Sequence, residues 1–117
     1  MPGLQWLAEG WATESLDSPD RVKLWIIEGA RLAGLTIHDI MVHALQSTEQ
    51  SGPGVTGIAM LKESHMAVHT WPEYGYVTFD VYSCREFDWG AVEKLSELIF
   101  QVTGWHLSTT TSRWGPQ

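Results

Sequence analysis

The sequence predicts an α+β fold in which two helices lie on one face of an antiparallel sheet. Short runs of apolar and branched residues, typical of strands, follow one another along the chain and favour antiparallel pairing. Two longer segments instead repeat apolar residues every three or four positions, as amphipathic helices do. Strands grouped with two separate helices indicate a two-layer sandwich. The chain has 117 residues, so we expect residues 1–117 to form a single domain.

The chain opens with a predicted strand over residues 4–11, where apolar and polar side chains mix. Ser18-Pro19-Asp20 is typical of a helix start, because Ser18 can cap the first turn and Pro19 stands where its missing N–H is not needed. We expect this helix to end at Gly34. Its apolar face is predicted to comprise Val22, Ile26, Gly29, Ala30 and Ala33.

The middle of the chain predicts four strands. The first covers residues 36–45, which are rich in branched and apolar side chains. Residues 46–54 are polar, and Ser51-Gly52-Pro53-Gly54 is the strongest loop signal in the chain. The other three strands are predicted over residues 55–62, 65–71 and 76–82.

A second helix and a last strand are predicted near the C-terminal end. Asp88 is expected to cap the helix and Gly104 to close it, and a strand over residues 105–111 follows. The apolar positions of this helix are Val92, Leu95, Ile99 and Val102.

Composition excludes some classes of function. The net charge is -7, which argues against binding to a nucleic-acid backbone and suits a small cationic substrate. No apolar run is as long as a membrane span and no targeting segment is recognisable, so we expect a cytoplasmic protein that does not bind membranes. Cys84 is the single cysteine and cannot form an internal disulfide.

Residues 62–73 and Cys84 contain most of the groups able to do chemistry. A serine hydroxyl becomes a nucleophile when a base takes its proton and a carbonyl is held within reach. An imidazole can exchange protons near neutral pH, and so can a thiol. Taken singly, Ser64 also fits a surface serine, His69 a packing residue and Cys84 a small buried side chain.

The motifs of this segment together resemble those of the prokaryotic S-adenosylmethionine decarboxylases, which are self-cleaving and pyruvoyl-dependent. The resemblance is strongest from Gly54 to Cys84, and elsewhere it rests on the order of the elements. It implies the same sandwich, with the sheets of two protomers packed face to face in a four-layer homodimer. The matching motifs are Gly54-Val55-Thr56-Gly57, Glu63-Ser64-His65, His69-Thr70-Trp71-Pro72-Glu73 and Cys84.

The resemblance implies that the chain cleaves itself. Ser64 would attack the backbone carbonyl of Glu63, and elimination would leave fragments 1–63 and 64–117, with a pyruvoyl group derived from Ser64 on the second. His69 matches the histidine that accepts the Ser64 Cα proton. Thr56 stands where the family normally has a serine that assists processing. Threonine keeps the hydroxyl but restricts χ1, so we expect slower cleavage.

The resemblance also implies the later chemistry. The substrate amine would form a Schiff base with the pyruvoyl carbonyl, and Cys84 would protonate the α-carbon as carbon dioxide leaves. Glu73 and Glu9 would hold polar groups of the substrate.

The residue expected to stack on adenine is aromatic in the family, but the matching segment here is His43-Ala44-Leu45, which places Leu45 there. Trp11, Trp71 and Tyr74 are alternative stacking surfaces.

The main prediction is therefore a pyruvoyl-dependent S-adenosylmethionine decarboxylase of spermidine synthesis. One alternative is an arginine or ornithine decarboxylase of the same fold, with its pocket refitted for a smaller cation. A second is a non-catalytic dimeric binding domain. A third is a metal-binding protein that uses His65 and His69, although two imidazoles without a third ligand are weak evidence for zinc and we predict no metal.

Overall fold

The computed structural model describes residues 3–46 and 53–111 and has the predicted α+β architecture. Its strands are β1 (Leu4–Trp11), β2 (Ile37–Leu45), β3 (Gly54–Leu61), β4 (Ser64–Trp71), β5 (Tyr76–Ser83) and β6 (Thr103–Thr111). Its helices are α1 (Pro19–Ala33) and α2 (Trp89–Phe100), and a short 3-10 helix (Pro72–Tyr74) joins β4 to β5. Most of the predicted loop over residues 46–54 lies outside the described residues.

The six strands form one antiparallel sheet in the order β2-β3-β4-β5-β1-β6. The burial of β1, β3, β4 and β5 alternates along each strand, so one face of the sheet is packed and the other is open. Both helices contribute to the core on the packed face. The sequence prediction of helices on one side of an antiparallel sheet is confirmed.

Helix α1 begins and ends where its capping residues predict. The Ser18 hydroxyl accepts a hydrogen bond from the Arg21 N–H at 3.2 Å, and Gly34 ends the helix with φ of 71°. All five predicted apolar positions of α1 are buried. The indole N–H of Trp25 donates to Ser96 Oγ at 2.9 Å and thereby joins α1 to α2.

The predicted end of α2 at Gly104 is wrong. The helix stops at Phe100, and Gln101 adopts the left-handed conformation with φ of 56° while its N–H bonds to Glu97 O at 2.8 Å. The next residue, Val102, is buried, so the chain has already turned into the core. Gly104 lies within β6, near the irregularity in its pairing with β1. The predicted strand boundaries are within two residues of those observed.

The two glycines of the Gly54-Val55-Thr56-Gly57 motif allow close packing. A Cβ at Gly57 would lie 2.5 Å from a methyl group of Val22 and 2.9 Å from one of Ile26, so α1 can approach β3 only because this side chain is absent. A Cβ at Gly54 would overlap the backbone carbonyl of Thr70 on β4. The motif therefore has a packing function as well as any chemical one.

The open face of the sheet carries exposed apolar side chains along with polar ones. Met60 and Met41 are 60% and 59% exposed, and Leu7, Trp11, Leu45 and Ile58 also project from this face. No helix in the described part of the chain is both long enough and apolar enough to span a membrane.

Candidate active site

A row of polar side chains crosses the open face from β2 to β6. Residues that are directly paired in neighbouring antiparallel strands point to the same face, so the strand register alone places these side chains in line. The row consists of His43, Thr56, His69, Thr78, Glu9 and His106.

Thr56 and His69 are hydrogen-bonded within this row. Thr56 Oγ1 lies 3.1 Å from His69 Nδ1. The bond orients the imidazole, so its other nitrogen remains for a proton-transfer partner. The Trp71 ring lies 6.2 Å from the His69 ring and packs beside it. Two of the predicted processing residues are therefore brought together.

Glu9 is held by a residue that the sequence analysis missed. The Tyr76 hydroxyl donates a hydrogen bond to the Glu9 carboxylate. The pKa of Tyr76 is raised above its ordinary value chiefly by this bond, with smaller contributions from burial and from the Glu9 charge. Trp11 and Trp71 flank the Tyr76 ring at centroid distances of 5.5 and 5.2 Å.

Glu9 and His69 line a pocket of about 460 Å³ on the open face, together with Asp80 and His106. Two carboxylates in an open pocket suit a cationic ligand. Asp80 and His106 lie outside the motifs recognised in the sequence. The alternation of Tyr76, Thr78 and Asp80 along β5 indicates that these side chains lie on one side of the sheet. It does not show which residues of other strands lie beside them.

Ser64, Glu63 and Cys84 form a second cluster at the end of the sheet. Ser64 is the first residue of β4 and follows a two-residue connection, Lys62-Glu63, from β3. The Cys84 N–H donates to Ser64 Oγ at 3.1 Å. Glu63 and Cys84 also line a pocket of about 340 Å³ with Lys62 and Arg85. The structure thus brings the predicted nucleophile, the predicted cleavage site and the predicted proton donor together.

Ser64 and His69 do not meet within one chain. They lie five positions apart on the same extended strand, which separates their Cα atoms by about 16 Å at the usual rise per residue. The Thr56 and His69 pair lies toward the far end of β4, whereas Ser64 is its first residue. Within one chain, the two groups of residues are therefore separate.

The remaining predicted substrate contacts are more scattered. Glu73 is exposed on the 3-10 helix, where its carboxylate raises the pKa of Tyr74, first through a side-chain hydrogen bond and then through its charge. Leu45 is 51% exposed and lines an apolar pocket of about 250 Å³ with Met41, His43, Thr56 and Ile58. Leu45 therefore adjoins the Thr56 and His69 pair, whereas Glu73 lies outside the pockets described above.

His65 pairs with an acidic neighbour rather than with His69. Its Nε2 lies 3.3 Å from Asp80 Oδ2, and its ring stacks on Tyr82. Gln5 donates to the other oxygen of the same carboxylate at 3.2 Å. Among residues 3–46 and 53–111, no three histidine, cysteine, aspartate or glutamate side chains are grouped so as to hold a metal ion.

Known proteins are similar to this chain in sequence. A relative from Aeropyrum pernix is 44% identical over 72 residues, which cover 62% of this chain and 51% of the relative. One from Caldicellulosiruptor saccharolyticus is 31% identical over 108 residues, covering 91% of this chain and 81% of the relative. Both are named S-adenosylmethionine decarboxylase proenzyme. The chain spans only about half the length of the first of them.

A solved structure has the same fold. The crystal structure of the adenosylmethionine decarboxylase from Aquifex aeolicus superposes with a TM-score of 0.75, at 22% identity, over 98% of this chain and 92% of that one. The sequence model of the family described as S-adenosylmethionine decarboxylase matches residues 4–111. The chain therefore belongs to the S-adenosylmethionine decarboxylase family.

Proposed function

We propose that the chain is a proenzyme that cleaves itself between Glu63 and Ser64 and then decarboxylates S-adenosylmethionine. The observation that carries this proposal is the hydrogen bond from the Cys84 N–H to Ser64 Oγ, which holds the nucleophile beside the residue assigned to later proton transfer. The proenzyme names of the relatives support it.

The geometry at Ser64 supports the cleavage step. In that step, Ser64 Oγ bonds to the carbonyl carbon of Glu63, the C–N bond breaks, and the Ser64 nitrogen takes up the proton of the hydroxyl. The Cys84 N–H holds Oγ in place, while the negative charge of the addition step develops on the Glu63 carbonyl oxygen. Removal of the Ser64 Cα proton by a base, which we assign to His69, then releases fragment 1–63 from the ester and leaves a dehydroalanine at position 64. Water hydrolyses this group, and its nitrogen leaves as ammonia to give the pyruvoyl group.

The fold accommodates a cut at this position. Fragment 1–63 contributes β1, β2 and β3, and fragment 64–117 contributes β4, β5 and β6. Because β1 lies between β5 and β6, strands of the two fragments interleave in the sheet and hold them together. A pyruvoyl group made from Ser64 would stand at the start of β4, where it supplies an electron-withdrawing carbonyl as carbon dioxide leaves. The Cys84 thiol would supply the proton that takes the place of carbon dioxide on the α-carbon of the substrate.

A second copy of the chain completes the site in this proposal. His69 is too far along β4 to reach Ser64 of its own chain, so the base must come from a partner chain. The open face supplies a surface for that partner, since Met41, Ile58 and Met60 leave apolar area in solvent. Two sheets packed through this face form a four-layer homodimer.

Two features support a cationic nucleoside substrate. Glu9 and Asp80 give the open-face pocket acidic groups that suit a sulfonium ion. The aromatic rings of Trp11, Trp71 and Tyr76 lie together on the same face as Glu9 and provide stacking surface in the absence of an aromatic residue at Leu45.

Two measurements test the proposal. Intact-mass analysis should show chains 1–63 and 64–117, with the second blocked to Edman sequencing because it begins with a ketone. The cleaved protein should release carbon dioxide from S-adenosylmethionine faster than from arginine or ornithine. A free serine N-terminus would show ordinary proteolysis instead. Faster release of carbon dioxide from arginine or ornithine would overturn the assignment of S-adenosylmethionine as substrate. Release of carbon dioxide from none of the three would favour the non-catalytic binding domain.

A further inference from the structure

The residue before the predicted cleavage point has a strained backbone. Glu63 has φ of 61°, in the left-handed region where residues other than glycine are disfavoured because Cβ crowds the backbone carbonyls. Leu61 pairs with Ser64, so Lys62 and Glu63 alone make the reversal between β3 and β4. Glycine or asparagine is the usual occupant of a left-handed position in so short a turn.

Contacts around the turn prevent this strain from relaxing. The Lys62 N–H bonds to Thr36 O at 3.1 Å, which ties the turn to the segment between α1 and β2. On the other side of Glu63, the Cys84 N–H holds Ser64 Oγ. Arg85, next to Cys84, donates to Gly34 O at 2.8 Å and fixes the same corner of the molecule.

The side chain of Glu63 gives no structural reason for the strain. Glu63 is exposed, and within the described residues its carboxylate takes part in no hydrogen bond or ion pair. No such contact of the side chain therefore offsets the cost of the left-handed backbone. Strained backbone conformations cluster at functional positions. The carbonyl of this strained residue is the group that Ser64 attacks in the proposed reaction.

We propose that the left-handed conformation of Glu63 is a positioning device that accelerates self-cleavage by storing steric strain in the turn that holds the peptide bond to be broken. This inference rests on the proposed function. In the amide, the Glu63 carbonyl carbon reaches Ser64 Cα through one atom, the nitrogen. In the ester, the connection runs through Oγ and Cβ and is one bond longer. As the C–O bond forms and the C–N bond breaks, the two-residue turn is therefore released from its tight closure.

The experiment compares Glu63→Ala with Glu63→Gly. Both variants lack the carboxylate, but only alanine keeps the steric conflict of the left-handed conformation. Cleavage of freshly synthesised chains is followed by gel mobility and intact mass. We expect Glu63→Gly to cleave roughly three- to tenfold more slowly than Glu63→Ala, corresponding to partial release of the left-handed strain in the transition state.

A second measurement separates strain from flexibility. In the Ser64→Ala background, which cannot cleave, Glu63→Gly should have a higher Tm than Glu63→Ala because the strain is relieved in the folded state. Gln101→Gly is the matched control, since Gln101 has φ of 56° but lies at the end of α2. Gln101→Gly should raise Tm without changing the cleavage rate.

The outcomes distinguish this inference from the proposed function. If wild-type protein remains one chain, the proposed function fails and the inference fails with it. If wild-type protein cleaves but Glu63→Gly cleaves as fast as Glu63→Ala, the inference alone is overturned. If Glu63→Gly cleaves more slowly than Glu63→Ala and also has a lower Tm, the inference is overturned as well. The slower cleavage would then come from a more flexible turn and not from the loss of strain.

Discussion

At the scale of single residues, the site depends on which side chains hydrogen-bond to one another. The Cys84 N–H holds Ser64 at one end of β4, and Thr56 orients His69 toward the other end. Ser64, Thr56 and His69 are assigned to making the pyruvoyl group, whereas Cys84 is assigned to using it. The division can be tested because each pair contains one side chain with a distinct task.

Removing His69 and removing Cys84 should have different effects. We expect His69→Ala to stall before the pyruvoyl group forms, because no base takes the Ser64 Cα proton. Cys84→Ala should still cleave, because its backbone N–H remains, but it should decarboxylate about 10²- to 10⁴-fold more slowly. Intact mass and carbon dioxide release measure the two effects.

His65→Ala is the matched control for these variants, since His65 lies on the same strand but bonds to Asp80. It should cleave nearly as the wild type does. Equal loss of cleavage in His69→Ala and Cys84→Ala would show that the two roles are misassigned.

The bond between Tyr76 and Glu9 should be visible in a titration. The folded state favours the neutral phenol of Tyr76, so its pKa lies above the ordinary value of 10.0. The resulting stabilisation is present below that pH and is lost as the pH rises through the folded-state pKa. We expect Glu9→Gln to lower the pKa of Tyr76, as measured by phenolate absorbance.

Tyr74 provides the comparison for this titration, because Glu73 rather than Glu9 raises its pKa. Tyr76→Phe identifies which transition belongs to Tyr76. If Glu9→Gln leaves the pKa of Tyr76 unchanged, the hydrogen bond to Glu9 does not control the ionisation of the phenol.

At the scale of elements, the contact between α1 and β3 fixes the strand that carries Thr56. Gly57→Ala would push a methyl group against Val22 and Ile26, which are branched residues held within a helix. We expect it to destabilise the protein by about 1–3 kcal/mol, as overpacking in cores does. Thermal or denaturant unfolding in the uncleavable Ser64→Ala background measures the loss.

Gly29→Ala is the contrasting variant. Its added Cβ would meet the terminal methyl of Met66 at 2.6 Å, and this flexible side chain can move aside. Alanine also favours the helix by about 1 kcal/mol over glycine. Gly29→Ala should therefore be tolerated better than Gly57→Ala, and the opposite order would contradict the packing argument.

At the scale of the whole molecule, a site shared between two chains predicts complementation. Ser64→Ala alone cannot cleave, and His69→Ala alone should stall. In a mixed dimer, Ser64 of the His69→Ala chain meets His69 of the Ser64→Ala chain, so one complete site forms. Co-expression should therefore yield cleaved His69→Ala chains, identified by the intact masses of their fragments.

The expected extent of this rescue is limited. Each mixed dimer has one complete site and one site that lacks both groups, so only the His69→Ala chains can be cleaved. A mixture of Ser64→Ala with Ser64→Ala/His69→Ala is the negative control. Absence of rescue in a mixture shown to contain mixed dimers would mean that the base does not come from the partner.

The sequence by itself predicted the elements of this fold, because the signals that define them are local. Ser18 and Gly34 bound α1 through their own caps, and alternation along β5 predicts its two faces. The end of α2 was the exception. Gln101 rather than Gly104 adopts the left-handed cap, since burial of Val102 turns the chain earlier than the glycine predicts.

Tertiary structure decided which of the chemical groups meet. The motifs named Ser64, His69 and Cys84 but not the distances among them. A hydrogen bond joins Ser64 to Cys84, whereas the length of β4 keeps His69 apart. Tyr76 was missed as the partner of Glu9 because the two are 67 positions apart in sequence. Contacts between distant segments follow from strand order and register, and these are set by packing of the whole sheet against its helices.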